Sequence, residues 1–251
     1  MDSTITTHNR DCLDILKDLP DSSIDLILQD PPYNTTGCHF EYDIFPRISE
    51  LWVQWKRVLK PAGSIIFTAT NPFSSKLICS NLQDFKYDLI WDKKNVSNPQ
   101  LVKHVPLRHH EYILIFQPGN TKATYNLWMT TECHKIRKKD TGMSALPHLQ
   151  KSKDYIQTVT GYPKSILSFR VDRPTLYPTQ KPVALFEWLI KTYSNLGDVV
   201  FDGYAGSGTS GVAARNTGRH AILCETNSGA YNVLRTRLFG DQRLTAASPQ
   251  L

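Results

Sequence analysis

Nowhere in the 251 residues is there an apolar run near the roughly 18 residues that a membrane-crossing helix needs. The opening stretch, Met1 to Arg10, is polar and has no apolar signal core, which predicts a chain kept in the cytoplasm. Cysteine is scarce and scattered. Cys12, Cys38, Cys79, Cys133 and Cys224 form no Cys-x-x-Cys pair, which argues against a disulfide framework or a zinc site. They read as small apolar thiols in a reducing compartment, and no metal is expected. Internal repeats and low-complexity tracts are absent as well. What the chain does have is a mild positive surplus, 29 Lys+Arg against 23 Asp+Glu, or 29 − 23 = +6. That surplus is compatible with a polyanionic partner, and the length suits one large α/β domain better than two independent ones.

Short apolar runs recur between helical periodicities. Ile24 to Leu28 reads as a buried strand ending at Asp30-Pro31-Pro32-Tyr33. Apolar residues at 48, 51, 52, 55, 58 and 59 predict a helix, stopped by Lys60-Pro61-Ala62-Gly63 before a strand over Ser64–Thr68. A helix from Phe73 to Leu82 and strands at Tyr87–Trp91 and Tyr112–Phe116 follow. After Pro182 come a helix to Tyr193, a strand Asp198–Phe201, a glycine turn, a helix, a strand Ala221–Cys224 and a helix to Leu238. The alternation predicts an α/β fold with a doubly wound, mostly parallel sheet, built from 1–116 and 178–251. From Gln117 to Tyr177 the pattern dissolves, which predicts an irregular insertion over 117–177. Its basic residues include Lys135, Arg137, Lys138 and Lys139.

Two turns carry the chemistry. In Val199 to Gly211, the glycines Gly206, Gly208 and Gly211 fit G-x-G-x-x-G between a strand and a helix, where backbone N–H groups can approach a ligand closely. Glu225 closes the next strand, 225 − 206 = 19 positions on, placed to accept hydrogen bonds from a ribose. Only 251 − 211 = 40 residues follow the last glycine, so the order of units is permuted relative to a nicotinamide-binding fold. The second turn is Asp30-Pro31-Pro32-Tyr33. Two prolines fix φ and remove two donors, leaving rigid carbonyl acceptors beside a carboxylate. Such a corner suits an amino group with two donors, and Tyr33 offers a face for stacking.

Asp30-Pro31-Pro32-Tyr33, then Thr179-Gln180-Lys181-Pro182, then Asp202-Gly203-Tyr204-Ala205-Gly206-Ser207-Gly208-Thr209 resemble, in that order, the beta group of DNA amino-methyltransferases. The resemblance runs from about Thr7 to Leu238. It implies a Rossmann-like methyltransferase sheet with permuted motifs and a target-recognition insertion. There are departures: the family usually reads Asp-Pro-Phe where this chain has Asp202-Gly203-Tyr204, His where it has Tyr177, and Gly-Asp where it has Arg10-Asp11.

The resemblance implies transfer of methyl from S-adenosylmethionine to the N6 amino group of a flipped adenine in double-stranded DNA. Asp30 and Pro31 would hold the amino group and Tyr33 would stack on the base, with Pro32 fixing the turn. The cofactor would lie on Gly206, Ser207, Gly208 and Thr209, with Asp202 nearby, Glu225 on its ribose, Asp11 near its adenine, and Thr179 and Lys181 near its methionine end. Lys135, Arg137, Lys138 and Lys139 are the candidates for DNA phosphates, and Asn95 to His110 is a second candidate surface. No cysteine follows a proline, in keeping with direct transfer to an amine rather than to a cytosine carbon. Cytosine N4 methylation is the nearest alternative, although Asp30 favours adenine where the cytosine enzymes more often carry Ser. A catalytically silent DNA-binding protein and a nicotinamide oxidoreductase are the other two. The resemblance also implies a bacterial or phage-type setting at the nucleoid, with a homodimer left open.

Overall fold

The computed structural model describes residues 3–33, 47–138, 154–177 and 179–240. They fall into two compact units, Met1–Asn126 with Ser165–Leu251, and Leu127–Lys164. The larger unit is built on an eight-stranded sheet. Its strands are β1 (Ile5–His8), β2 (Ile24–Gln29), β3 (Leu59–Ala69), β4 (Phe85–Asp92), β5 (His110–Phe116), β8 (Ile166–Ser168), β9 (Val199–Asp202) and β10 (His220–Cys224). They lie in the order β1-β10-β9-β2-β3-β5-β4-β8. Every neighbouring pair is parallel except those of β5 with β3 and with β4.

Among the described residues six helices cover the sheet: α1 (Cys12–Asp18), α2 (Ile48–Val58), α3 (Phe73–Ser80), α4 (Val183–Tyr193), α5 (Thr209–Asn216) and α6 (Ser228–Phe239). In β2, Ile24, Leu26, Ile27 and Leu28 are all fully buried, because helices pack on both faces of this central strand. Leu26 and Leu28 join Leu189, Ala213 and Leu234 of α4, α5 and α6. Ile24 and Ile27 join Leu16, Trp55 and Leu77 of α1, α2 and α3. Each buried Leu or Ile among them contributes roughly 1.5–3 kcal/mol.

The feature that places the site is the meeting of β2 with β9, where Leu26 pairs with Val200 and Ile27 with Phe201. From β2 the chain runs through α2 to β3 on one side, and from β9 through α5 to β10 on the other. A crevice opens where two such connections diverge beyond the carboxyl ends of parallel strands. Asp30 follows β2 and Asp202 ends β9, so the two turns singled out in the sequence share that crevice.

Several elements differ from expectation. Lys60-Pro61-Ala62-Gly63 does not separate α2 from the next strand but lies inside β3, where the register with β2 shifts between Ile24 and Leu26. β1, α1 and β8 are additional. The 117–177 segment is not irregular throughout: β6 (Thr131–Arg137) and β7 (Tyr155–Thr160) form an antiparallel pair of their own. β8 lies within that segment too, yet pairs in parallel with β4 of the large sheet. The compact unit, Leu127–Lys164, is therefore narrower than the segment read from the sequence.

Candidate active site

Asp30 leaves β2 with both carboxylate oxygens engaged. Lys181, just before α4, sets its Nζ 2.7 Å from Oδ1 and 2.8 Å from Oδ2. The Thr68 hydroxyl of β3 donates to Oδ1. The Tyr33 hydroxyl lies 2.8 Å from the same oxygen, 2.9 Å from Thr68 Oγ1 and 3.1 Å from Glu111 Oε2. Burial, reinforced by Asp30 and Glu111, pushes the Tyr33 phenol well above its ordinary range, so it stays a proton donor. Its ring stacks on Phe73 at 5.6 Å and 27°, with Lys181 Nζ over it at 5.2 Å. Pro31 is buried and Pro32 half-buried.

Glu111 and Lys93 complete this cluster, and neither belongs to a motif legible in the sequence. Glu111, on β5, lies 3.1 Å from Lys93 Nζ through Oε1 and 3.6 Å from Lys181 Nζ through Oε2. Burial works against the ionised form of Glu111, but Lys181 and Lys93 outweigh it and hold the carboxyl below its ordinary range. Burial likewise opposes the Lys181 ammonium, and Asp30 and Glu111 overcome it, raising its pKa. One buried acid, Glu111, and one half-buried acid, Asp30, thus face two buried ammonium groups.

The glycine turn is held from three sides. Glu225, directly after β10, accepts from Gly206 N at 2.9 Å and Asn227 N at 2.7 Å. Arg237 of α6 donates to Ser207 O at 3.2 Å and to Thr209 Oγ1 at 3.0 Å. Thr209 in turn donates to the Lys181 carbonyl at 3.3 Å, so one residue joins this turn to Asp30. Asp202 is buried and accepts from Ser210 Oγ at 2.5 Å and Tyr204 N at 2.9 Å. Burial raises its carboxyl to about 7.

Glycine is required at two points of the turn. Gly206 and Gly208 have φ of +50° and +80°, a region other residues rarely adopt. A Cβ on Gly206 would meet nothing within 4 Å, so open space lies against the backbone there. Gly203 accounts for the departure from Asp-Pro-Phe. Its N–H donates to the buried Gln29 Oε1 at 3.1 Å, a bond proline cannot make, and a Cβ would stand 2.8 Å from Cys12 Cβ.

Other expected site residues lie apart from this cluster's bonds. Asp11 is exposed and caps α1 through Leu13 N at 2.8 Å. Thr179 is exposed. Lys135, Arg137 and Lys138 are exposed in the smaller unit, with Arg137 Nε 2.7 Å from Gln157 Oε1, while Lys139 lies outside the described residues. Lys103, His104, Arg108 and His109 are exposed in the loop from β4 to β5. Among the described residues no group of three His, Cys, Asp or Glu is placed to hold a metal, and no helix is long and apolar enough to cross a membrane.

The turn fits a nucleoside-bearing cofactor. Open space lies over Gly206, and each Glu225 oxygen holds one backbone donor while a carboxylate oxygen can accept two. Comparison with known proteins agrees. The family model described as DNA methylase, of the N6/N4 methyltransferases, matches residues 24–235. The DNA adenine methyltransferase YhdJ of Escherichia coli (strain K12) is 31% identical over 239 residues, 89% of this chain and 79% of that protein. The type II methyltransferase M.HpaI of Haemophilus parainfluenzae is 28% identical over 263 residues, 95% and 74% of the two chains. Among solved structures, the cytosine-N4-specific PvuII DNA methyltransferase superposes with a TM-score of 0.69 at 15% identity, over 96% of this chain and 89% of that one. The M1.HpyAVI complex with S-adenosylmethionine gives 0.61 at 23%, over 94% and 100%. With the two turns brought together at one crevice and the match running almost from end to end, the chain belongs to the DNA methylase family of S-adenosylmethionine-dependent N6/N4 DNA methyltransferases.

Proposed function

We propose that the protein methylates the N6 amino group of adenine at a specific site in duplex DNA, with the adenine flipped out of the stack. The observation that carries this is the Asp30 carboxylate beside the cofactor turn, joined to it through Lys181. Adenine is favoured by that aspartate and by the likeness to YhdJ, which is named for adenine. S-adenosylmethionine supplies, when bound, a methyl group on a sulfonium. The rest falls to the chain. An aromatic amine is a poor nucleophile because its lone pair is delocalised into the ring. An N–H bond to Asp30 and another to the Pro31 carbonyl draw the nitrogen toward a tetrahedral shape and localise that pair. The nitrogen would gain the methyl as its bond to sulfur breaks, leaving S-adenosylhomocysteine, and would lose one hydrogen as a proton to Asp30, the carboxylate already on that N–H. A base stacked on Tyr33 shares its ring with Phe73 and the Lys181 ammonium.

Glu225 is assigned to the ribose, Asp11 to the adenine of the cofactor, and Thr179 to its methionine end. Lys135, Arg137, Lys138 and Lys139 are assigned to phosphates. The named relatives are bacterial, which supports a place at a bacterial nucleoid.

Long-read modification mapping of DNA from cells expressing the protein tests the reading, with N6-methyladenine in one sequence context expected. Methylation at cytosine N4 would overturn the choice of base. Asp30→Ala should lower turnover at least about a hundredfold, with cofactor affinity by calorimetry unchanged. Near-normal turnover in that variant would remove Asp30 from the mechanism.

A further inference from the structure

Asp30 has no idle oxygen: Lys181 spans both, and Tyr33 and Thr68 stand on one of them. Oδ1 already meets three donors and Oδ2 one, Lys181, and since a carboxylate oxygen accepts about two, an arriving amino group finds room at Oδ2 but meets the Lys181 ammonium there. Thr68 is fixed in β3 and Tyr33 in the rigid proline turn. Lys181 has the long arm, and it carries the charge that matters. While its ammonium sits on Asp30, the negative charge is cancelled at the point where the attacking nitrogen turns positive.

A buried ammonium cannot simply let go, because an unpaired charge at 7% exposure costs several kcal/mol. It needs a second carboxylate within reach, and Glu111 Oε2 is 3.6 Å away. Glu111 is 9% exposed and steadied on its other oxygen by Lys93. Nothing in the motif-bearing turns requires an acid there.

The geometry points to Glu111 as a positioning residue for methyl transfer, the carboxylate that receives the Lys181 ammonium when the target amino group takes its place on Asp30. The inference rests on amino methylation of DNA and adds to it a two-position lysine. With Lys181 on Asp30 the free site is closed and neutral. With Lys181 on Glu111, Asp30 is free for the amine, and no charge has left the cluster.

Charge counting gives the test. The parent has two acids and two ammonium groups among Asp30, Glu111, Lys93 and Lys181. Glu111→Gln leaves one acid and two ammonium groups, with Lys181 held on Asp30. Adding Lys181→Met restores the balance, one acid and one ammonium, with Asp30 uncapped. Glu111→Gln should therefore lower kcat about 10- to 100-fold, with S-adenosylmethionine affinity within about twofold of the parent by calorimetry. The double variant Glu111→Gln/Lys181→Met should recover a large part of that loss, although it carries more substitutions. A merely structural Glu111 predicts the opposite order, because damage accumulates.

Binding supplies a readout independent of turnover. With S-adenosylhomocysteine present, duplexes carrying adenine or purine at the mapped target differ only in the amino group. The parent should prefer adenine, Glu111→Gln should lose that preference, and the double variant should regain it. The duplex's own pairing energy cancels between enzymes. An active parent whose Glu111→Gln variant keeps normal kcat, or whose double variant shows neither rescue, overturns the inference alone. A parent that methylates no amino group overturns the underlying reading and this one with it.

Discussion

Glu225 serves two partners at once. Its oxygens hold Gly206 N and Asn227 N, and they are also the proposed seat of the cofactor ribose. Glu225→Ala should weaken S-adenosylmethionine binding by about 1.5–3 kcal/mol for each charged bond lost, more than tenfold by calorimetry. Unchanged affinity would mean that the ribose lies elsewhere. Asp202 makes a different kind of prediction. Burial raises its carboxyl from the ordinary value of 3.8 to about 7, so the folded protein holds this proton more tightly than the unfolded chain does. The resulting stability is complete below about pH 4 and is lost as pH rises through about 7. Thermal melts across that window should show the parent losing stability that Asp202→Asn does not, and parallel profiles would contradict the assignment. Asp30, Asp202 and the glycines were legible because each sits in a short window with its own backbone logic. The sequence assigned Lys181 to the methionine end of the cofactor, whereas its engagement with Asp30, 151 positions earlier, left no local signal. Glu111, Lys93 and Arg237 gave no signal, since a single charged residue at a strand or helix end resembles ordinary surface.

Among the elements, the β6–β7 pair is where the sequence was hardest to read. Most of its positions are exposed on both faces, so the alternation that marks a half-buried strand never arises. β1 is a short edge strand of mixed polarity, Ile5 to His8, and β8 has three residues, so neither leaves a pattern. The central strands β2, β3 and β5 were visible because burial on both faces demands an unbroken apolar run. On β6, Lys135 and Arg137 are two apart and therefore share a face, with Lys138 just beyond. If these cations meet phosphates, replacing all three by Ala should flatten the dependence of log affinity on log salt by about 0.9 per contact. The loss should be alike for cognate and unrelated duplexes, because phosphates carry no sequence information. Binding across a salt series reads the slope, and identical slopes would pass the role to the loop from β4 to β5, with its exposed Lys103 and Arg108.

At the scale of the molecule, a ligand that binds only the folded chain adds its binding energy to stability. S-adenosylhomocysteine at a hundred times its Kd should add about 2.7 kcal/mol, a rise in Tm of roughly 5–10 °C for a chain of this size. NAD should leave Tm where it is, and a comparable rise with NAD would restore the oxidoreductase reading. The seam between β2 and β9 has a further consequence, for the order of events during synthesis. β2 is made early and finds β3 within a few tens of residues, but its other edge must wait for Val199 to Asp202, some 170 positions later. In that interval a nascent chain carries a mostly apolar strand, Ile24 to Leu28 with Asp25 its one charge, unpaired on one side, which is a site for wrong pairing and aggregation. β1 likewise waits for β10. The crevice is therefore among the last parts of the protein to exist. A substitution that weakens this seam, without touching any group in the site, would show first as low yield of folded protein from the ribosome and only then as weak methylation.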